Sequence, residues 1–140
     1  MKEKILFLCT GNSCRSQIAE GLAMKYLNNY IIDSAGINPE PVNPNAIKTM
    51  KNINIDISKQ KSKKINMKNL DNYNLVVTLC GDAKDHCPTL HSKTSHIHWA
   101  IEDPAKFNGT DKEILRKFSE IKDMILEKIK LLKIDLNNKS

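Results

Sequence analysis

The stretch most suggestive of chemistry is Cys9-Thr10-Gly11-Asn12-Ser13-Cys14-Arg15-Ser16, in which a cysteine is followed six positions later by an arginine. A short polar loop that enters a helix N-terminus turns several backbone N–H groups inward and makes an anion cradle. Gly11 and Asn12 tolerate the positive φ that such a cradle often needs. Arg15 can add a bidentate grip on a tetrahedral oxyanion. Of the 22 basic residues only Arg15 and Arg116 are arginines, which leaves 20 lysines. Where lysine is the default cation, an arginine suggests that its planar fork is needed. The positive field that seats an anion also favours the thiolate of a nearby cysteine. The loop therefore reads as a nucleophile, Cys9, beside an oxyanion seat. The plain alternative is a buried cysteine ending a strand and a chance arginine, but the glycine and the strand-to-helix setting weigh against it.

The elements that must position this loop follow from apolar patterning. Lys4 to Leu8 reads as a short buried strand, and Ser16 to Leu27 has helical spacing. Tyr30 to Ser34 is a second strand, ended by Ala35-Gly36, and Asn43-Pro44 opens a helix with proline in its first turn. Leu75 to Leu79 is a buried strand, and His96 to Trp99 is a fourth. From Asp111 a helix runs to about Leu132, with Ile114, Phe118, Ile121, Ile125, Ile129 and Leu132 inward and a frayed tail after it. Alternating strands and helices imply an α/β fold: a single domain over residues 1–140, with a parallel four-stranded sheet and helices on both faces. Sites in such folds form at the C-terminal ends of strands, where both Cys9 and Cys80 lie. If those strands are neighbours, their ends are about 4.8 Å apart, within the roughly 4.4–6.8 Å that a disulfide spans.

Length and composition narrow the function. The 140 residues suffice for a core without disulfide staples, no apolar run approaches the length of a membrane span, and no signal-peptide pattern opens the chain. A cytosolic monomer is expected, whose four cysteines, Cys9, Cys14, Cys80 and Cys87, are catalytic or metal-binding rather than structural. The net charge of +6 comes from lysines interleaved with acids and lacks the aromatic interleaving of a nucleic-acid platform. Neither a nucleic acid nor a membrane is expected as partner. His86, His91, His96 and His98 lie near Cys80 and Cys87 and allow a zinc reading, but the Cys-x6-Cys spacing is wider than usual. Cys14 is either a third thiol able to form an off-pathway disulfide with Cys9 or a small buried residue. Glu102 and Asp103, before Pro104, are equal candidates for a general acid, the plain reading being a turn or helix-entry aspartate.

Cys-x5-Arg-Ser at this place resembles the phosphate loop of low-molecular-weight protein tyrosine phosphatases. The longer string CTGNSCRSQIAEG more closely resembles the thioredoxin-coupled arsenate reductases built on that fold. Matches continue with SAGI (34–37), VNPNAIKTM (42–50), IDIS (55–58), LVVTLCGDA (75–83), CP (87–88), HW (98–99) and DPA (103–105). The resemblance implies arsenate reduction and arsenic detoxification. Residues 10–16 (Thr10, Gly11, Asn12, Ser13, Cys14, Arg15 and Ser16) would bind the oxyanion, with Cys9, Arg15, Cys80, Cys87 and Asp103 catalytic. It implies a Cys9–Cys80 disulfide, then a Cys80–Cys87 disulfide reduced by thioredoxin, with no bound cofactor. A weak phosphatase side activity is compatible with it. Some reductases of this family hold a monovalent cation with an Asn, a Glu, a Ser and an Asp. Three of these match Asn12, Glu20 and Ser34, while the fourth falls on Lys63, whose ammonium is expected beside Glu20 in place of the ion, or else in solvent. If the 80–87 segment is helical when reduced, its cysteines are too far apart to bond, so it is expected to unwind on oxidation. The alternatives are a phosphatase, which has no use for Cys80 and Cys87, and a redox-sensing or metal-binding module.

Overall fold

A computed structural model describes residues 2–80 and 94–138. Its four strands are β1 (Lys4–Cys9), β2 (Ile31–Gly36), β3 (Leu75–Leu79) and β4 (Ser95–Trp99). They form one all-parallel sheet in the order β2-β1-β3-β4. Every residue of β3 is buried, as are five of the six in β1, which fits two central strands covered on both faces.

Side-chain alternation assigns the two faces. Ile5, Phe7 and Cys9 point into the larger core, with α1 (Arg15–Tyr26), α2 (Pro44–Lys51) and α3 (Asp111–Asn138) packed over them. Phe7 and Trp99 meet there with ring centroids 5.9 Å apart, a tilted pair bridging β1 and β4. Leu6, Leu8 and Val76 point the other way, onto Leu70 of a 3-10 helix over Met67–Asn72. The two 3-10 helices, this one and Pro104–Lys106, are not anticipated from the sequence. Each is entered by a side chain, Asn66 or Asp103, that accepts an N–H two residues on.

The long helix is also longer than expected. Phe118, Ile121, Ile125, Ile129 and Leu132 are buried as the spacing predicts, but α3 continues to Asn138. Neither glycine nor proline interrupts residues 133–138, and Leu136 keeps a partly buried place against the core. Asn137 and Asn138, expected in the frayed tail, are therefore helical. Among the described residues no helix is long and apolar enough to cross a membrane.

The strand order places the site. The chain steps from β1 outward to β2, then back past β1 to β3, so the order reverses between β1 and β3. Such a switch point opens a crevice at the strands' C-terminal ends. Leu8 pairs with Thr78, which sets Cys80 one residue beyond the position opposite Cys9.

Candidate active site

The loop from Cys9 to Arg15 lies in this crevice and is held from below. Asn12 is fully buried with φ 47°, a left-handed backbone that asparagine accepts more readily than most residues. Its Nδ2 donates to Ser16 Oγ at 2.8 Å and to Ser34 Oγ at 2.9 Å, while its Oδ1 accepts the N–H of Lys63 at 2.8 Å. Its carbonyl takes a bond from Gln17 Nε2 at 2.9 Å. Ser16 Oγ accepts from Asn12 and stands 2.9 Å from Cys9 Sγ, within reach to donate its own proton to a thiolate there. Positive φ was expected to be open to Gly11 as well, but Asn12 alone in the loop adopts it.

The glycine this loop needs most is outside it. A Cβ on Gly36, paired with Cys9 in the sheet, would lie 2.7 Å from both Asn12 N and Thr10 O. Those are backbone atoms and cannot swing aside. Gly36→Ala is therefore expected to cost about 1–3 kcal/mol by overpacking. A fall of several degrees in melting temperature, together with lost oxyanion protection of Cys9 against alkylation, would confirm it.

Arg15 is 2% exposed. Its Nη1 donates to the carbonyl of Ile101 at 2.9 Å, and its Nη2 lies 3.8 Å from Asp103 Oδ2. The guanidinium thus joins the start of α1 to the segment after β4. Glu102 and Asp103, equal in the sequence, are separated by the fold. Asp103 lines the same cleft as Cys9, whereas Glu102 is over half exposed and pairs with Lys117. Asp103 Oδ1 also accepts the N–H of Ala105 at 3.0 Å, which fixes the carboxylate at the mouth.

The cleft encloses about 220 Å³. Cys9, Thr10, Gly11, Ser13, Cys14 and Arg15 line its depth, and Asn38, Glu40, Asp103, Ala105 and Lys106 its rim. Thr10 Oγ1 is buried and has no hydrogen-bond partner among the described residues. Burial, reinforced by the nearby Asp103 and Cys9, pushes the Cys14 thiol up to about 12. A thiol held protonated fits the small-buried-residue reading of Cys14. Asn12 and Ser16 support the loop from below and do not line the cleft. Cys80 is buried at the end of β3. Cys87, His86, His91 and the expected change of shape across 81–87 lie outside the described residues. His96 and His98 share the hydroxyl of Thr78, at 3.0 and 2.7 Å.

The polar cluster behind the loop differs from expectation in one pairing. Ser34 Oγ donates to Glu20 and accepts from Asn12 Nδ2, so the three residues matched to the cation ligands lie together. The Lys63 ammonium, expected on Glu20, pairs instead with Asp33, which also accepts the Tyr73 hydroxyl at 2.8 Å. Asp33 is 32% exposed, so a lysine reaches it without losing all of its hydration. Burial raises the Glu20 pKa above its ordinary 4.5, opposed by the Ser34 hydroxyl and the Lys63 charge. A carboxyl with a raised folded-state pKa favours folding while protonated and loses that advantage as pH rises through the folded value. Glu20→Gln should therefore raise the melting temperature at pH 7 and leave it unchanged near pH 4. An equal shift at both pH values would contradict burial as the cause.

Of the rim residues, Asp103 was found from the sequence and Asn38, Glu40 and Lys106 were not. Glu40 sits in Pro39-Glu40-Pro41, and two prolines around one carboxylate were the available signal for a rigid segment.

Comparison with known proteins agrees with this geometry. The chain is 52% identical over 130 residues, covering 92% of it and 94% of the relative, to a protein of Halalkalibacterium halodurans named arsenate reductase. It is 48% identical over 132 residues, covering 93% and 95%, to one of Bacillus subtilis with the same name. A solved structure described as an arsenate reductase in the phosphate binding state superposes with a TM-score of 0.75 at 31% identity, covering 95% of this chain and 98% of that one. The sequence profile described as low molecular weight phosphotyrosine protein phosphatase matches residues 4–140. With that match spanning nearly the whole chain and the phosphate loop, switch point and cleft in place, the chain belongs to the low molecular weight phosphotyrosine protein phosphatase family.

Proposed function

We propose that the protein reduces arsenate to arsenite by passing two electrons through three thiols. The observation that supports this most is the pair of buried thiols, Cys9 and Cys80, at the ends of neighbouring parallel strands, one of them in an arginine-anchored anion loop. A phosphatase needs only the first. In this reading arsenate sits among the loop amides, Arg15 and the Thr10 hydroxyl. The Cys9 thiolate bonds to arsenic, and an oxygen leaves as water with a proton from Asp103. The Cys80 thiolate then attacks Cys9 Sγ. The S–As bond breaks, its electron pair stays on arsenic, and arsenite departs. Cys87 attacks Cys80, which frees Cys9 and leaves a Cys80–Cys87 disulfide. Each exchange depends on thiolate character and access. A protein dithiol such as thioredoxin, at about −270 mV, suits the reduction of that last disulfide. NADPH oxidation that depends on arsenate, thioredoxin and thioredoxin reductase tests this, with glutaredoxin and glutathione as the comparison. Equal rates with both donors would remove the thioredoxin assignment. Unchanged turnover after Cys80→Ser and Cys87→Ser would favour the phosphatase.

We also propose that Lys63 supplies, through its pair with Asp33 and its field at Glu20, the charge that a monovalent cation gives to other reductases of this kind. Replacing potassium by a large organic cation at fixed ionic strength should leave activity unchanged. Lys63→Asp should make activity and melting temperature depend on potassium, because a ligand held only by the folded form stabilises it. A gain of several degrees from potassium in the unaltered protein would sink the idea.

A further inference from the structure

A carboxylate is a surprising group to find fixed at the mouth of an anion site. Glu40 lies between Pro39 and Pro41, whose rings lock their own φ and bias the residue before each toward an extended backbone. The segment is tied to the loop by four hydrogen bonds. Asn38 N donates to Thr10 O at 2.9 Å, Glu40 N to Gly11 O at 2.9 Å, and Asn43 N to Ser13 O at 3.0 Å. Ser13 Oγ completes the set by donating to Pro41 O at 3.0 Å. The Glu40 carboxylate comes back over the loop, its Oε2 3.6 Å from where a Cβ on Gly11 would sit. Its backbone is thus held rigidly against the loop that seats the oxyanion, while the side chain stays exposed at the rim.

The rim offers little to an organic substituent. Asn38, Glu40, Asp103, Ala105 and Lys106 line it, and no aromatic ring does so among the described residues. A free tetrahedral oxyanion occupies only the seat, where the loop amides and Arg15 meet its charge. An ester or phosphonate must carry its organic group out through the mouth, past Glu40.

We propose that Glu40 is a specificity-determining residue of this cleft: it rejects oxyanion esters whose organic part carries negative charge and favours those whose organic part is neutral or cationic. This rests on the cleft being an oxyanion site, and it adds the substrate class that the site turns away. Two unit charges about 5 Å apart in nearly bulk water interact strongly enough to change binding about fourfold. Asp103 and Lys106 also face the mouth and stay in place when residue 40 is changed. A difference between ligands that share one seat therefore reports on Glu40 alone.

The test uses protection of Cys9 from iodoacetamide, read as alkylation of the Cys9 peptide by mass spectrometry at low ionic strength, so it needs no turnover and no electron donor. The probes are inorganic phosphate, benzylphosphonate, 4-carboxybenzylphosphonate and 4-(aminomethyl)benzylphosphonate. In the unaltered protein the carboxy probe should protect less well than benzylphosphonate, and the aminomethyl probe better. Glu40→Gln should improve the carboxy probe relative to benzylphosphonate by about fourfold, and Glu40→Lys by roughly the square of that, with the aminomethyl probe moving oppositely. Both changes should fade in high salt. Because backbone groups tie residue 40 to the loop, both variants should keep the melting temperature, and any gain in phosphate protection from the lost negative charge is common to all the probes and cancels in their ratio to benzylphosphonate. If no probe protects Cys9 in the unaltered protein, the oxyanion seat itself is wrong and this assignment falls with it. If the probes protect but their ratios stay fixed in both variants, the seat stands and Glu40 does not select.

Discussion

Cys9→Ser should leave a folded protein that still seats phosphate or arsenate and turns none over. The substitution replaces a sulfur by an oxygen in a side chain that is 2% exposed and packed at the end of β1. Ser16 Oγ remains to hydrogen-bond the new hydroxyl, and no large cavity opens, so stability should change by no more than about 1 kcal/mol. The chemistry has no substitute. An alcohol is almost never ionised near neutral pH, and the group beside it among the described residues, Ser16, is itself a hydroxyl and no base. Removing the nucleophile from a site that acts as a unit lowers turnover by on the order of 10⁴-fold or more. Arsenite formation measured beside the thermal melt checks both halves. Turnover above about one percent with an unchanged melt would mean that another thiol starts the reaction.

Arg15→Lys should be the next most damaging change, although it keeps the charge. The guanidinium reaches in two directions, donating to the Ile101 carbonyl and lying beside Asp103. An ammonium is a point charge on a longer flexible stem and cannot reach both while also gripping an oxyanion. If it follows Asp103, the Ile101 carbonyl loses a buried donor, at about 1–3 kcal/mol of stability. If it follows the carbonyl, the acid and the seat lose their common anchor. Loss of one preorganised donor to a developing oxyanion costs about 10²–10³ in rate. We expect kcat/KM for arsenate to fall by about that much, with a lowered melting temperature. Near-normal kcat/KM would mean that the loop amides suffice without the fork.

The loop was legible because its chemistry is local: Cys9, Gly11, Asn12 and Arg15 lie within seven consecutive residues, and their roles follow from strand, turn and helix. The strand and helix order was legible for the same reason. That β1 and β3 are neighbours was only a condition in the sequence, because strand order is set by packing across the sheet. What remained hidden depends on distant segments folding back. The Lys63 backbone N–H on Asn12, the Lys63 ammonium on Asp33 and the Glu40 carboxylate over Gly11 join residues with no common spacing. Glu102 and Asp103 are adjacent and chemically alike, and only the 3-10 helix that begins after Asp103 turns one into the cleft and the other toward Lys117. The end of α3 was misjudged because apolar periodicity fades before the hydrogen-bonded helix does.

In the proposed relay two electrons leave the protein's own thiols, and a single turnover without any donor measures this. Fully reduced protein is mixed with excess arsenate, and arsenite and remaining thiols are counted. About one arsenite per protein and two lost thiols are expected, found as a Cys80–Cys87 disulfide, or as Cys9–Cys80 when Cys87→Ser stops the relay. Arsenite formed with all thiols intact, or a lost pair that includes Cys14, would contradict it.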